Sequence, residues 1–576
     1  MVNEAVIHKK KTTGRDLFRL GLSIVILFLL NYVGSFVFHR FDLTSEGRYT
    51  LSAQSKAIAE NIEGTAFFKV YLDGPKLPSG MVRLRDETKE MLDEFRAYSG
   101  GKIQYEFIDP TANPDPKVRL SLMQQLYKEG LSPIDLQVQE TSGNSEQTIV
   151  PGAILSYRGR EISMDILQRQ GNTNPMAAIN YSIEELEYSI DNAIHKLTLD
   201  SKPSIAFVQG QGELDSIQTA GAAKALSEYY NVRTIYLNHR VGALLDSAHN
   251  VRYRAIIIAK PDTAFSEPDK LALDQYIMNG GKVLWLLDPL YTPLDTLALY
   301  GNVIGFPTDL NLEDMLFQYG VRLNNNIVLD FQCSAVPVNT ALKGEQPQWK
   351  LEQWFYEPLI SPKGSNPIVK NLNLVELNMA STIDTIKVPG IKKTVLLATS
   401  KSTMLRSAPA RISMGITHLH LSEDIFKLKF QPVAVLLEGK FTSLYKGRLP
   451  ANVMNSQKYA FKAESKPTSM IVVSDGDVIR NDVEFNGTNA LPLGQDKWTK
   501  EMYSNKDFIL NSMNYLCGDT ALLQVRGRQL QIRLLDGKKA KMQQTQWQII
   551  NLVVPILLII LLGLILAAIR KAKYAK

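Results

Sequence analysis

Polar turns follow four apolar segments of the chain, and they hold the side chains that are best suited to bind a ligand. Each segment has the composition of a buried strand, and in a doubly wound sheet ligands bind outside the carboxyl ends of the strands. Tight turns between strands and helices need the same residue types, so a purely structural role is the alternative. The candidate ligand-binding residues are Gly210, Gln211, Gly212, Glu213, Asp262, Asp288, Asp475 and Asp477.

Recognised catalytic and phosphate-binding motifs are missing from the sequence. Gly210-x-Gly212 lacks the third glycine of a dinucleotide-binding fingerprint, and Gly280-Gly281-Lys282 precedes a predicted strand, whereas a Walker A loop precedes a helix. Neither G-x-S-x-G nor H-E-x-x-H occurs. Asp475 and Asp477 are too close in the chain to flank a glycosidic bond, which argues against a hydrolase acting on envelope glycans. We therefore expect a protein that is not an enzyme.

Metal-binding side chains are few and poorly spaced. His418 and His420 have the spacing of two side chains on one face of a strand, but no third ligand is near them in the sequence. The only cysteines, Cys333 and Cys517, cannot form a four-thiolate zinc site or a disulfide framework. The sequence therefore predicts no metal site and no cofactor.

The composition indicates a folded protein of several domains that is mostly soluble in water. The chain has 576 residues, 45% of them apolar, and its mean hydropathy is −0.10. Lysine and arginine total 64 against 58 acidic residues, which gives a formal net charge of +6. An excess this small over this length implies no basic face, so we expect no binding to nucleic acid.

Two long apolar segments predict one transmembrane helix near each end of the chain, at residues 17–38 and 547–569. Basic residues are concentrated in the tails 1–16 and 570–576, so the positive-inside rule places both tails in the cytoplasm. The first segment has no small-x-small cleavage site, and we interpret it as an uncleaved anchor. Residues 39–546 are then expected outside the cytoplasm, as one body that is tethered at both ends.

The first part of this body, residues 39–200, has the pattern of one α/β domain. A strand at 66–72, an amphipathic helix that ends near residue 98 and a strand at 102–108 predict a parallel β-α-β unit. Further strands are predicted at 134–139, 147–157 and 161–166, and further helices at 53–61 and 183–197.

Residues 201–520 predict a second α/β domain with a doubly wound parallel sheet, because continuous apolar strands alternate with helices. An irregular insertion is expected at about 300–470, where this pattern loosens. A basic connector, residues 521–546, then leads to the second transmembrane segment. The predicted strands are 204–208, 233–237, 254–259, 282–287, 394–399, 433–438 and 470–474, and the predicted helices are 217–229, 267–278 and 508–516.

Several short segments, spread over nearly the whole chain, together resemble one known family. They are Arg40-Phe41-Asp42-Leu43-Thr44, Gly210-Gln211-Gly212-Glu213, Gly280-Gly281-Lys282, Asn505-Lys506-Asp507-Phe508 and Arg570-Lys571-Ala572-Lys573-Tyr574. The combination resembles the GldG family, the membrane-anchored, substrate-binding-like auxiliary component of the gliding-motility ABC transporter of Bacteroidota. Members often carry histidine where this chain has Gln211, so we expect no role that requires this histidine.

The resemblance implies a non-catalytic accessory subunit in the bacterial inner membrane, with its bulk in the periplasm. The implied partners are an ABC permease, through it a separate ATPase, and inner-membrane lipid, and the implied process is gliding motility with the linked type IX secretion. The middle domain would be flavodoxin-like, similar to amidotransferase-type and intraflagellar-transport modules. The alternative is a solute-binding subunit that holds a small molecule of unknown identity between its two α/β domains.

A cluster of basic residues in the connector precedes the second transmembrane segment. We predict that it contacts the permease or anionic lipid headgroups, and a solvated connector is the alternative. The residues are Arg526, Arg528, Arg533, Lys538, Lys539 and Lys541.

Overall fold

The computed structural model divides the chain into two compact units, Met1–Gln529 and Leu530–Lys576. The end of the first predicted transmembrane segment and much of the basic connector lie outside the described residues. The structure describes residues 18–29, 32, 50–75, 77–140, 143–168, 175–199, 201–341, 346–419, 421–450, 460–484, 489–519, 523, 525 and 537–574.

The first region of the larger unit is a small α/β structure. Its strands are β1 (Ala66–Val70), β2 (Ile103–Phe107), β3 (Ile134–Glu140), β4 (Gly143–Ile149), β5 (Gly152–Tyr157) and β6 (Arg160–Asp165). Its helices are α1 (Phe18–Leu29), α2 (Ala53–Glu60), α3 (Ser79–Tyr98), α4 (Pro116–Lys128), α5 (Pro175–Glu184) and α6 (Leu186–Thr198). Four strands form one sheet in the order β2-β1-β5-β6, and β3 and β4 form a hairpin.

The predicted β-α-β unit is confirmed, because β1 and β2 pair in parallel and α3 connects them. The predicted helix after Ser52 is confirmed as well. The Ser52 hydroxyl accepts a hydrogen bond of 3.1 Å from the backbone nitrogen of Ser55 and caps α2.

Two boundaries that were predicted for elements of this region are wrong. The segment 147–157 is two strands that separate around Pro151, which has no backbone N–H for a ladder, and the segment 183–197 spans the end of α5 and most of α6.

The rest of the larger unit contains the main sheet and several small ones. Its strands are β7 (Ser204–Gln209), β8 (Asn231–Tyr236), β9 (Ala255–Ala259), β10 (Val283–Leu286), β11 (Leu290–Tyr291), β12 (Asn302–Pro307), β13 (Val321–Leu323), β14 (Asn326–Asp330), β15 (Cys333–Asn339), β16 (Trp349–Ile360), β17 (Val375–Glu376), β18 (Ile383–Thr385), β19 (Ile391–Ala398), β20 (Thr403–Ser407), β21 (Ala410–Ser413), β22 (Pro432–Gly439) and β23 (Thr468–Val473). Its helices are α7 (Ala220–Ser227), α8 (Glu267–Met278), α9 (Leu294–Tyr300), α10 (Glu313–Tyr319) and α11 (Asn505–Cys517), with 3-10 turns at Met414–His418, Glu423–Ile425 and Asp477–Ile479.

The main sheet has seven strands in the order β19-β22-β23-β10-β9-β7-β8. The five strands from β23 to β8 run parallel, and β22 and β19 extend this sheet in antiparallel pairs. The mixed α/β class predicted from the sequence is therefore confirmed.

The parallel strands are buried on both faces, as their continuous apolar sequences require. In β9, Ala255, Ile257 and Ala259 face one core, which also holds side chains of α7 and α11. Ile256 and Ile258 alternate with them and face a second core, which holds side chains of α8. Side chains along a strand alternate between its faces, so one short apolar run serves both cores.

The region predicted as an irregular insertion has regular structure in the described residues. Its strands form small sheets, β11-β12-β21 and β15-β16-β17, and the pairs β13-β18 and β14-β20. Two further strands of this region, β19 and β22, belong to the main sheet, which the sequence analysis did not predict. His418 ends a 3-10 turn, so its predicted strand spacing to His420 is wrong, and His420 lies outside the described residues.

The smaller unit contains α12 (Gly537–Met542) and α13 (Gln544–Tyr574). The stretch Gln544–Ala572 of α13 is apolar and 29 residues long, so at about 1.5 Å per residue it extends roughly 43 Å and can cross a bilayer. The described part of the N-terminal apolar helix, α1, is about 18 Å long and too short to do so by itself. One C-terminal span thus has structural support, and the N-terminal span stays a prediction.

Candidate functional site

The four predicted turns meet at one edge of the main sheet. The strands β7, β9, β10 and β23 are parallel neighbours, so their carboxyl ends lie side by side. The carbonyl oxygen of Gln211, after β7, accepts hydrogen bonds from the backbone nitrogens of Asp262 (2.9 Å) and Thr263 (3.1 Å), after β9. A cavity of about 370 Å³, here called the strand-end cleft, lies at this edge and is lined by Gly212, Glu213, Lys260, Asp262, Asp288 and Arg480. The other predicted site residues, Gly210, Gln211, Asp475 and Asp477, do not line it.

Gly212 is required by the backbone geometry of its turn. Its φ is +72°, a conformation that favours glycine. The carboxylate of Asp262 also occupies the space that a side chain at this position would need, because a Cβ there would be 1.6 Å from Asp262 Oδ1. The turn after β7 therefore packs against the turn after β9 with no space for a side chain.

Glu213 is a buried acid that lines the strand-end cleft. It is 7% exposed, and its Oε2 accepts a 2.8 Å hydrogen bond from the backbone nitrogen of Gln211. Its Oε1 has no partner among the described residues. Burial raises the pKa of Glu213, against the opposing effect of backbone hydrogen bonds. This oxygen is enclosed by protein and is not exposed to the cleft.

Lys260 holds the acidic turns together, and the sequence analysis did not single it out. Its Nζ lies 3.1 Å from Asp288 Oδ2 and forms a second ion pair with Asp477. Burial alone would lower the pKa of Lys260, but the attraction of both carboxylates raises it above its ordinary value. Lys260 directly follows a buried strand, so a count of charged residues at the strand ends would have identified it as a candidate. Such a count would not have shown which acids it contacts.

Two of the predicted site residues use their carboxylates inside the turns. Asp475 is fully buried and accepts 2.7 Å hydrogen bonds from the backbone nitrogens of Asn378 and Asp477. Asp288 accepts one from the backbone nitrogen of Gly476. Burial raises the pKa of Asp475, and the charges of Asp288 and Asp477 add to this effect. These contacts shape the turn after β23, so they match the structural alternative considered for these residues.

A larger cavity, of about 940 Å³, lies beside the turn after β23 and was missed by the sequence analysis. Its wall carries Glu357, Glu376 and Asp496, here called the acidic cluster, together with Trp354 and Trp498. Burial, with the charge of Asp496 and other acids, raises the pKa of Glu357 to about 8. Burial and the charge of Glu357 raise the pKa of Glu376 well above its ordinary value, and Ser334 opposes this.

A third cavity, of about 460 Å³, lies between the two α/β regions of the larger unit. On one side it is lined by α5, α6 and the end of β6, including Tyr188, Asn192 and Lys196. On the other side it is lined by Glu228, Tyr229 and residues near the start of α11. Lys196 pairs with Glu228 at 2.5 Å, and the Tyr229 hydroxyl donates to Asn192 Oδ1 at 2.7 Å, so polar contacts cross between the two regions.

The predicted basic cluster is only partly described. Arg526, Arg528 and Arg533 lie outside the described residues, and the side chain of Lys538 is not described. Lys539 and Lys541 lie in α12 and are exposed. Contact of this cluster with a permease or with lipid stays a prediction.

Comparison with known families identifies the larger part of the chain. Residues 202–512, more than half of its length, match the family described as "ABC-type uncharacterized transport system". The chain belongs to this family. Residues 45–156 match a domain of unknown function. Membership in this auxiliary-component family indicates an accessory role in association with an ABC transporter, and α13 adds the means of membrane attachment.

Two similar proteins extend this comparison. An "Uncharacterized protein" of Borreliella burgdorferi is 20% identical over 481 residues, which cover 83% of this chain and 85% of that protein. The solved structure of the "mmIFT52 N-terminal domain" is 12% identical with a TM-score of 0.30, and the match covers 55% of this chain and 97% of that one. A TM-score this low carries no argument about the fold.

Replacing Lys260 by methionine should lower the free energy of unfolding by about 3 kcal/mol, because Asp288 would stay buried without a cation and Asp477 would keep only Arg480. The matched control is Lys446→Met, which breaks an exposed pair with Glu464 and should leave the free energy of unfolding nearly unchanged. Urea titration of the full chain in detergent, followed by tryptophan fluorescence, measures both. Equal stability of the two variants would show that Lys260 does not hold the turns.

Proposed function

We propose that the chain is a non-catalytic, membrane-anchored accessory subunit of an ABC transporter whose ATPase and permease are separate proteins. The match of residues 202–512 to the transport family carries this proposal. The resemblance to the GldG family favours a role in gliding motility and the linked type IX secretion. Numbered by their order in the chain, the five parallel strands lie across the sheet in the order 2-1-3-4-5, which supports a flavodoxin-like middle domain.

The proposed orientation places both termini in the cytoplasm and the larger body in the periplasm, anchored in the bacterial inner membrane. The apolar stretch of α13 supports a span at the C-terminal end, and Arg570 and Lys571 lie at the end of this stretch, as cytoplasmic basic residues do. Contact with the permease would involve the membrane helices, and the basic connector would contact permease or lipid headgroups.

The protein should co-purify with its transporter. We expect a tagged full-length chain, extracted from native membranes in mild detergent, to bring down a multi-span permease and an ATPase in constant proportion. Mass spectrometry of the eluate identifies the partners, and a tagged unrelated membrane protein with one C-terminal span controls for carry-over. Elution of the chain alone, while the permease remains in the same extract, would contradict the proposed role.

A solute-binding subunit is a second candidate, and the cavity between the two α/β regions favours it. This cavity of about 460 Å³ has the size of a small-molecule site and is lined by tyrosine, asparagine and charged side chains from both regions. A ligand held there would join the two regions, as the sequence-based alternative requires.

Under this second candidate, one class of small molecules should stabilise the full chain in a thermal-shift screen. A ligand at 100 times its Kd would add about 2.7 kcal/mol to the free energy of unfolding. Ser189→Phe, which puts a ring into the cavity wall, should abolish the shift, whereas Ser227→Phe on exposed α7 surface should leave it unchanged. If no compound of the polar, charged or apolar classes shifts the unfolding temperature, the solute-binding candidate is contradicted and the accessory-subunit candidate remains.

A further inference from the structure

Three oxygen-bearing side chains of the large cavity lie on one face of a strand pair. Leu359 of β16 pairs with Glu376 of β17, and the pairing continues, because the Leu377 nitrogen donates to the Pro358 oxygen at 3.1 Å. Side chains alternate along each strand, so Glu357 lies on the face that also carries Glu376 and Asn378. The register of β16 and β17 therefore fixes two carboxylates and one amide next to one another.

A loop outside this strand pair supplies the third carboxylate. Asp496 Oδ1 accepts hydrogen bonds from the backbone nitrogens of Trp498 (2.7 Å) and Thr499 (2.6 Å) and from Thr499 Oγ1 (3.0 Å). These contacts hold the carboxylate and leave Oδ2 with only a 3.4 Å contact to the Ser334 hydroxyl. One ligand-capable oxygen each from Glu357, Glu376 and Asp496 lies within 4.8 Å of the others.

The charge of the acidic cluster is only weakly offset in the described part of the chain, because Lys497 lowers the pKa of Glu357 less than burial and the neighbouring acids raise it. None of its three members forms an ion pair with a described lysine, arginine or histidine. Two cations line the same cavity but pair with other acids: Lys497 lies 3.8 Å from Asp482, and Arg480 lies 3.3 Å from Asp477. Three carboxyl groups this close must share protons or a cation, because like charges at such distances repel strongly.

Two enclosed oxygens at the cluster also have no donor. Glu376 Oε1 and Asn378 Oδ1 are completely enclosed by protein and have no hydrogen-bond partner among the described residues. The Asn378 amide nitrogen is turned toward Glu357 Oε1, at 3.5 Å, which is a weak contact. Unpartnered buried acceptors are rare in folded proteins, and a cation bound by the acidic cluster would give Glu376 Oε1 a partner.

We propose that Glu357, Glu376 and Asp496 form a binding site for one calcium ion. Calcium takes carboxylate and amide oxygens at about 2.3–2.6 Å, so oxygens on opposite sides of the ion are about 5 Å apart. The spacing of the cluster falls within this limit, so one calcium ion reaches all three carboxylates. Magnesium needs oxygens at about 2.0–2.1 Å and a stricter octahedron, and it fits the same spacing less well.

The ion would tie β16 and β17 to the loop that carries Asp496, and the cavity of about 940 Å³ gives it a path from solvent. This site is separate from the strand-end cleft and differs from the sequence-based expectation of no metal. It does not depend on the proposed transporter role.

Terbium, a luminescent substitute for calcium, tests the site in the full chain in detergent after removal of metals with EDTA. Trp354 and Trp498 line the same cavity and are placed to sensitise the bound ion. We expect a saturable signal that calcium chloride displaces and that magnesium chloride displaces at least about tenfold less effectively. Calcium should also raise the unfolding temperature of the unaltered chain, because a ligand of the folded state stabilises it.

Glu376→Gln and Glu357→Gln should each weaken terbium and calcium binding by roughly 100-fold, since each removes one charged ligand and keeps the side-chain shape. Glu464→Gln, on an exposed ion pair, is the matched control and should bind as the unaltered chain does. The unfolding temperature without metal shows whether each variant is folded. No saturable signal from the unaltered chain, or unchanged binding in both folded cluster variants, would overturn the site.

Discussion

The central strands of the main sheet are completely buried, and this constraint decides where polar chemistry can occur in the larger unit. No charged side chain can lie along β9 or β10, because both faces of these strands are covered by packed cores. Charged side chains can be accommodated only where these strands end. At that edge several carboxylates meet, and Lys260 is the half-buried cation that offsets the repulsion between Asp288 and Asp477.

The same constraint explains how much of the fold the sequence could predict. Segments such as 255–259 and 283–286 are continuous apolar runs, and such runs identify buried parallel strands by themselves. Between 300 and 470, β15 and β16 are only partly buried, and other strands have partners far away in the chain, as β12 has in β21 and β14 in β20. Nothing local indicated that β19 and β22 extend the main sheet.

The candidate sites were predictable to different degrees. The turns after β7, β9, β10 and β23 were expected to meet because parallel strands end at one edge, and they do meet. The role of Lys260 depends on which acids surround it in space, which turn composition alone does not show. The acidic cluster could not be predicted from the sequence, because Glu357, Glu376 and Asp496 share no spacing motif. Only the register of β16 with β17 and the loop contacts of Asp496 bring them together.

These features fit a body that is stabilised by its sheet and is attached to a membrane through α13. Its loops form cavities that are lined by charged side chains. The central claim is that this body lies outside the cytoplasm. Single cysteines at Ile217, which is 56% exposed, and at Lys571, in a chain with both native cysteines changed to serine, can be probed with a membrane-impermeant maleimide on spheroplasts. The account predicts that Ile217→Cys is labelled in intact spheroplasts and Lys571→Cys only after lysis. Labelling of Ile217→Cys only after lysis would contradict it.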